Sequence, residues 1–543
     1  MRRRWTRPLD ARLDDPVELL GAKAHGLVAL HRLGLPVPPG FVVTTAACRA
    51  FLDRGRLPDG LRAELAAAVG ELEAATGRRF GGVPPLAVSV RSGASVPMPG
   101  MMHTVLNLGL TRRATAALAA EHRDERFALD SRLRLLSTFA SALTGLPAPG
   151  PGTAAECGAA ATAADLARTV AAVEHDVERR YGRAIPDDAA EQLALAVEAV
   201  LASWNTPRAR TYREIHGIDH GLGTAVIVQA MVFGNRDERS GTGVAFSRNP
   251  DTGENTPFGD VLFTRQGEDV VSGRSRPLPL RELGAREPAV WAALLDALRR
   301  VERHYRDACY LEFTFQSGRL WLLQARPGRF VGAAAVRLAT DLADEGVITR
   351  REALLRVSPE QLRHARTPRI APSAETSVLA RGTGASPGVA VGRVATTADA
   401  AIRMAAEGPV VLVRPETSPD DMNGLAAAAG VVTARGGAAS HAAVVARAMG
   451  RPAVVGVGGL LVDPARAAIH VAGRTIEEGT VVAVDGSSGQ VVLGRPLIVT
   501  DGVEAPLRQL LAWADEVSGG PSDRDEVQRL EAARAVLRGQ QSD

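Results

Sequence analysis

The stretch Thr433–Gly450, TARGGAASHAAVVARAMG, decides how the rest of this sequence is read. An apolar run, Gly430–Val432, leads into the glycine pair Gly436 and Gly437, and then to Ser440 and His441. Ala442–Met449 has helix-forming composition, with Gly450 and Pro452 as stop signals. Ser440 suits the N-cap, where its hydroxyl would take an orphan backbone N–H of the first turn. His441 then falls on that turn, where free N–H groups and the positive end of the helix dipole gather. Such a place keeps an imidazole neutral and nucleophilic. It also favours the dianion that forms when the ring takes a phosphoryl group. A capping histidine without chemistry fits the same local pattern.

A chain of 543 residues is too long for one core and implies two or three domains. Hydrophobic residues at 45% and charged residues at 23% are ordinary for a soluble globular protein. No apolar run reaches the length of a membrane span, and the start, MRRRWTRPLD, has no apolar stretch behind it. Neither a membrane segment nor a signal peptide is therefore expected. Cys48, Cys157 and Cys309 lie far apart, without metal spacing or a disulfide framework, which fits a reducing cytoplasm. Net charge is only +3, and no basic block is interleaved with aromatics, so nucleic-acid binding is not expected. Of 64 basic residues, Lys23 is the only lysine. An ammonium kept at one place differs from a guanidinium where a compact point charge must reach a phosphate; a chance survivor is the plain alternative.

Lys23 lies in a helix ended near Gly34, followed by a proline-rich turn and a strand. Pro85–Gly93 reads as a strand that leaves at Arg91-Ser92-Gly93, and residues 111–145 read as helical. Residues 146–163 are a small-residue linker, and residues 164–204 form two charged, alanine-rich helices. Ala225–Gly234 is a buried strand. The glycine spacing of Ser240–Glu254 lets backbone N–H groups approach an anion, or makes a plain hairpin. Tyr310–Arg326 reads as two strands about a turn at Ser317-Gly318, with Leu311, Phe313 and Phe315 on one face and Glu312 and Thr314 on the other. A three-residue loop would put Glu312 opposite Gln324. A carboxylate and an amide carbonyl suit Mg²⁺, which takes one or two protein oxygens plus phosphates and water. Arg326 shares that face and complements phosphate charge; a ladder of surface polar residues is the alternative. Residues 365–380 are a polar linker, and a compact α/β unit starts near Arg381.

SHAAVVAR, QGEDVVSG, YLEFTF and PMPGMMHTVLNLGL together resemble the pyruvate phosphate dikinase family across about residues 15–517. The resemblance implies a multidomain α/β and α+β chain. An ATP-grasp-like nucleotide-binding domain would span 1–340, with a helical insertion at about 146–210. A helical connector and linker would follow at 341–380, then a swivelling α/β phosphohistidine domain at 381–497 and a truncated tail at 498–543. By resemblance Lys23, Arg91 and Arg326 neutralise phosphate charge, and Gly100 and Met102 line the nucleotide pocket. Thr242 and Gly243 belong to a phosphate loop, Glu268 contacts nucleotide, and Mg²⁺ sits on Glu312 and Gln324. The implied cofactors are ATP and Mg²⁺, and inorganic phosphate is a co-substrate. His441 carries the phosphoryl group.

The departures from the family are specific. Ala22 and Ala24 stand where glycine is expected, Ser95 where arginine is, and His103 where an acid is. Tyr310 replaces an aspartate on the Glu312 face. Ala439 replaces a threonine through which regulated members are switched off. The family's barrel for pyruvate or phosphoenolpyruvate, about 250 residues, is not expected after Val517. Transfer to pyruvate would then need a separate barrel-bearing partner. The alternatives are a degenerate nucleotide-binding regulator and a phosphotransferase to another small acceptor, for whose binding domain the linker leaves no room.

Overall fold

The computed structural model describes residues 4–96, 98, 101–144, 161–182, 184–215, 217–250, 252–267, 269, 277–330, 332–363, 365–371, 378–437, 440–471, 473–502, 504–520 and 523–540. The chain divides into two compact units. One holds residues 1–236 and 321–325, the other 237–320 and 326–543.

The first unit is built on an antiparallel five-stranded sheet in the order Thr6–Pro8, Gly40–Val43, Ala225–Ala230, Val88–Gly93, Thr104–Leu108. Val226, Ile227 and Val228 of the central strand are fully buried, as β-branched residues covered on both faces must be. The region expected to be helical from 111 to 145 is two helices, Arg112–His122 and Glu125–Thr144, parted at Arg123 in the left-handed region (φ 51°). Ala163–Tyr181 packs on the second of these through Leu133, Leu136, Leu166, Val170 and Val173. Thr162 and Asp165 close a capping box at its start. Most of the small-residue linker lies outside the described residues.

The Lys23 helix, Ala22–Arg32, follows a short turn of helix, Val17–Leu20, broken at Gly21 (φ 77°). A Cβ on Gly21 would meet the Gly93 carbonyl oxygen at 1.6 Å, and the Ala22 N–H donates to the Ala94 oxygen at 2.9 Å. The helix start is thus laced to the end of the Arg91 strand. Ala24 is fully buried there, so alanine is accommodated where glycine was expected.

In the second unit a sheet runs Leu278–Pro279, Phe258–Phe263, Gly241–Phe246, Cys309–Gln316; of the strand that follows, Arg319–Pro327, only the two ends belong to this unit. The helix Pro288–Tyr305 buries Val290, Leu294, Leu298 and Val301, a helical apolar stripe. Arg248, fully buried, ties this sheet to the helix Pro288–Tyr305 and to the turn that follows Gly332–Asp344. It donates to Glu302 at 2.8 Å and to Glu345 at 2.6 Å.

A helical module joins Gly332–Asp344, Arg350–Arg356 and Pro359–Arg363 to Glu504–Ser518 and Glu526–Gly539, around Leu342, Leu354, Leu510, Trp513, Leu530 and Leu537. Arg366–Ile370 pairs antiparallel with Ile498–Gly502. The segment expected as a truncated tail from 498 packs into the connector's core. Leu530, Ala533 and Leu537 give its last helix a buried face, and Asp525 with Gln528 caps it.

Residues 378–493 form an eight-stranded sheet in the order Val378–Arg381, Gln490–Leu493, Val481–Asp485, Val389–Ala395, Val410–Arg414, Gly430–Thr433, Ala453–Val455, Thr383–Ser386. The four strands from Val389 to Val455 are parallel and valine-rich, as a sheet covered on both faces requires. Their crossovers carry the helices Ala398–Ala405, Met422–Ala427 and His441–Ala448. Among the described residues no helix is long and apolar enough to cross a membrane, and Cys48 and Cys309 are buried free thiols.

Arg248→Met strands two carboxylates against an apolar stem. Its expected cost is about 3 kcal/mol, read as a lowered urea midpoint; an unchanged midpoint contradicts the role given to this ion network.

Candidate active site around His441 and the Glu312 hairpin

The chain leaves the strand Gly430–Thr433 through Gly436 in the left-handed region (φ 103°) and enters the helix His441–Ala448. Gly456 packs so closely that a Cβ on it would lie 2.5 Å from the Gly436 carbonyl oxygen. Ser440 holds the N-cap position in extended backbone (φ −62°, ψ 162°), but its hydroxyl makes no capping bond. That expectation is corrected: Ser440 Oγ and His441 Nε2 are both buried with no hydrogen-bond partner among the described residues. Unsatisfied polar atoms on adjacent residues call for a ligand or a chemical role.

The other ring nitrogen of His441, Nδ1, is 3.1 Å from Thr417 Oγ1. Thr417 was not singled out from the sequence. It lies 24 residues upstream, beyond the strand Val410–Arg414, and only the parallel sheet brings it to the ring. Burial lowers the His441 pKa to about 4, with Asp421 opposing the shift. Asp421 is itself held by Arg414 at 3.0 Å. The neutral ring expected from helix position is thus obtained, with burial as the larger cause.

The hairpin Cys309–Gln316 and Arg319–Pro327 turns on two residues, Ser317 (φ 49°) and Gly318 (φ 77°), both left-handed as a primed turn needs. The alignment of Glu312 with Gln324 rested on a three-residue loop and does not carry over. Gln324 is assigned to the first unit and Glu312 to the second. Tyr310, 3% exposed, donates its hydroxyl to Glu312 Oε1 at 3.3 Å. The Arg326 guanidinium lies 4.1 Å over the Tyr310 ring. Tyr310 therefore engages both groups expected to meet nucleotide and metal.

Thr242 and Gly243 do not form a phosphate loop. They lie within the buried strand Gly241–Phe246, and Thr242 Oγ1 donates to the Phe313 oxygen at 3.0 Å. A Cβ on Gly241 would meet the Phe315 ring at 2.4 Å, and one on Gly243 the Phe313 ring at 2.5 Å. These glycines make room for cross-strand aromatics, not for an anion.

In the first unit Lys23 is the second residue of its helix, and a Cβ on Gly93 would lie 3.5 Å from Lys23 Cβ. Arg91, expected to face phosphates, is instead a buried strand residue. It donates to Gln229 Oε1 and, at 3.3 Å, to the Leu323 oxygen. Met98 and Met101 fill core space, whereas Met102 is half-buried. His103 is lowered to about 4, by burial first and then by Arg208, whose Nε donates to the Met101 oxygen at 3.3 Å. Gly100, Glu268 and Ala439 lie outside the described residues.

Among the described residues no group of three or more His, Cys, Asp or Glu is gathered for a metal. Glu312 fits Mg²⁺ as a single carboxylate whose other ligands come from nucleotide phosphates and water, since Mg²⁺ keeps most of its shell outside the protein.

Two outcomes are expected. In the unfolded chain a histidine titrates near 6.5, and in the fold His441 titrates about 4. The unfolded state alone then takes the proton between those values, so stability present at pH 7 is lost as pH falls towards 4. His441→Asn should remove about 1–2 kcal/mol of the loss between pH 7 and pH 5, measured by urea unfolding; an unchanged slope contradicts the buried neutral ring. Tyr310→Asp adds a carboxylate beside Glu312 and should tighten Mn²⁺ binding to nucleotide-free protein about tenfold, read by electron paramagnetic resonance.

Comparison with known proteins bears on the family of the chain. A model of the pyruvate phosphate dikinase AMP/ATP-binding domain matches residues 17–75 and 54–281. A model of the PEP-utilising enzyme mobile domain matches 406–489, which contains His441. The chain is 41% identical over 520 residues to a pyruvate, phosphate dikinase of Rhizobium meliloti, covering 91% of this chain and 58% of that protein. It is 42% identical over 514 residues to pyruvate, phosphate dikinase 2 of Zea mays, covering 92% and 58%. With a chloroplastic pyruvate, phosphate dikinase 1 of Arabidopsis thaliana the identity is 40%, over 92% of this chain and 53% of the relative. The chain thus spans somewhat more than half the length of these relatives. Carrying that family's AMP/ATP-binding and mobile domains, it belongs to the pyruvate phosphate dikinase family.

Proposed function

We propose that this chain carries out the ATP half of a dikinase reaction, moving a phosphoryl group from ATP to His441. The observation that carries this reading is the imidazole itself: neutral, held at Nδ1 by Thr417, with Nε2 unpartnered at a helix N-terminus. Nδ1–H donates a hydrogen bond to Thr417 Oγ1, which leaves the Nε2 lone pair for attack on the β-phosphorus. The N–P bond forms as the P–O bond to the AMP phosphate breaks, and AMP leaves. The ring then carries a pyrophosphoryl group; inorganic phosphate attacks its terminal phosphorus, the bridging P–O bond breaks, and pyrophosphate leaves with the phosphoryl group still on His441. Glu312 would hold Mg²⁺ as the one protein carboxylate, and the ion would supply charge neutralisation. Lys23 and Arg326 meet phosphate oxygens, and Arg91, braced by Gln229, holds the strand whose end abuts the Lys23 helix. Catalysis is positioning and electrostatics rather than side-chain covalent chemistry beyond His441.

A second reading has its own observation. Tyr310 holds Glu312 and seats Arg326, which favours a nucleotide-binding regulator that does not turn over.

Incubation with β-labelled and γ-labelled ATP, Mg²⁺ and phosphate separates the two. Acid-labile, alkali-stable label from the β position, lost in His441→Ala, is the expected result. Bound ATP with no label on the protein contradicts the transferase reading and leaves the regulator.

A further inference from the structure

The sheet face that carries Glu312 has a second feature. In register, Tyr310 lies across from Phe246 and Phe246 from Phe258, while Glu312 lies across from Val244 and Val244 from Asp260. This face therefore presents an aromatic row beside a row ending in two acids. The Phe246 and Tyr310 rings meet edge to face at 5.0 Å.

The phosphohistidine module lies against this face at two points. Arg447, six residues after His441 and on the same helix, brings its guanidinium 5.7 Å from the Phe246 ring centroid. Its Nε donates to the Ala385 oxygen at 2.7 Å, so the side chain is aimed from within its own module. Gly437 sits so close to the sheet that a Cβ on it would lie 2.4 Å from Asp260 Oδ2 and 2.7 Å from Pro277 Cγ. On the sheet side Arg326 covers the Tyr310 ring at 4.1 Å. Two aromatic rings are thus held between two guanidiniums, one from the hairpin and one from the His441 helix.

We propose that Phe246 and Tyr310 form a docking seat for the loop and helix bearing His441, and that Tyr310 acts there as a positioning residue. An aspartate at 310 would offer Arg326 a salt-bridge partner but no ring to back Phe246. Tyrosine provides the ring while its hydroxyl satisfies Glu312. The absence of a side chain at Gly437 lets the loop reach Asp260, which gives the glycine of the motif a packing role. The seat concerns the same module as the proposed phosphoryl transfer, but it requires neither ATP nor turnover.

Accessibility of the covered face tests it. Val244 is 2% exposed and lies between Glu312 and Asp260, so Val244→Cys places a small thiol under the docked module with little change in volume. In the full chain carrying Cys157→Ala, the labelling rate of that thiol by a bulky maleimide reports how often the module lifts. Cys309, fully buried in the same sheet, reports unfolding instead. Tyr310→Phe keeps the ring and should leave the rate within about twofold. Tyr310→Leu and Phe246→Leu each remove ring faces and should raise it about tenfold, the scale of a desolvated cation–aromatic contact, with Cys309 still protected. Equal rates in all variants overturn the proposal. So does a rise in Tyr310→Phe as large as in Tyr310→Leu, which would assign the effect to the hydroxyl. Loss of Cys309 protection in parallel also counts against it, because the rings would then hold the sheet and not the module. A normal result here beside absent phosphorylation of His441 would remove the transferase reading and leave the docking seat standing.

Discussion

A histidine that is to accept a phosphoryl group must stay neutral and keep one ring nitrogen open. Burial of His441 meets the first condition, and the bond between Thr417 Oγ1 and His441 Nδ1 the second. It fixes the ring through one nitrogen and leaves Nε2 without a partner. The architecture around it follows from that requirement. Four parallel strands bring Thr417, at the exit of one strand, beside His441, at the exit of the next. Ligands at the carboxyl ends of parallel strands are the general rule for such sheets. Burial lowers the ring's basicity, and Asp421, which opposes that shift, is itself paired with Arg414.

The second sheet shows how one substitution reorganises a site. An aspartate at 310 would add charge beside Glu312. Tyrosine adds an aromatic ring that Arg326 covers and Phe246 flanks. Its hydroxyl occupies a Glu312 oxygen, so the face is closer to electroneutral and more apolar than two carboxylates would make it. Burial then raises the phenol's pKa further, with the Glu312 charge adding to it. The phenol therefore remains a donor across the physiological range. Such a face suits packing better than it suits binding a bare cation, because buried charge is tolerated only when paired.

Much of this was legible in the sequence, and the failures have a common physical source. The His441 helix was readable because its signals are local: helix formers, Gly450 after the last turn, and Ser440 before the first. The Ser317-Gly318 hairpin was readable for the same reason, although its two-residue length was not, and the register argument for Gln324 failed with it. Thr417 was invisible, since its role depends on which strands pair. Glycine misled at Gly241 and Gly243, where a Gly-rich string reads equally as an anion-binding turn or as room for Phe313 and Phe315 across the sheet. Arg91 was legible as a strand residue but not as a buried one, because Gln229 reaches it only through strand pairing. The last helix looked like a charged remnant, although Leu530, Ala533 and Leu537 already carried the apolar face that packs on the connector.

The central claim is that Nε2 of a neutral His441 is the acceptor atom. Nitrogen–phosphorus coupling measured by nuclear magnetic resonance, on ATP-treated protein labelled with nitrogen-15 histidine, tests it most directly. The prediction is phosphorus coupled to His441 Nε2, with Nδ1 carrying its proton and still bonded to Thr417. Phosphorus on Nδ1, or on any residue other than His441, would contradict it.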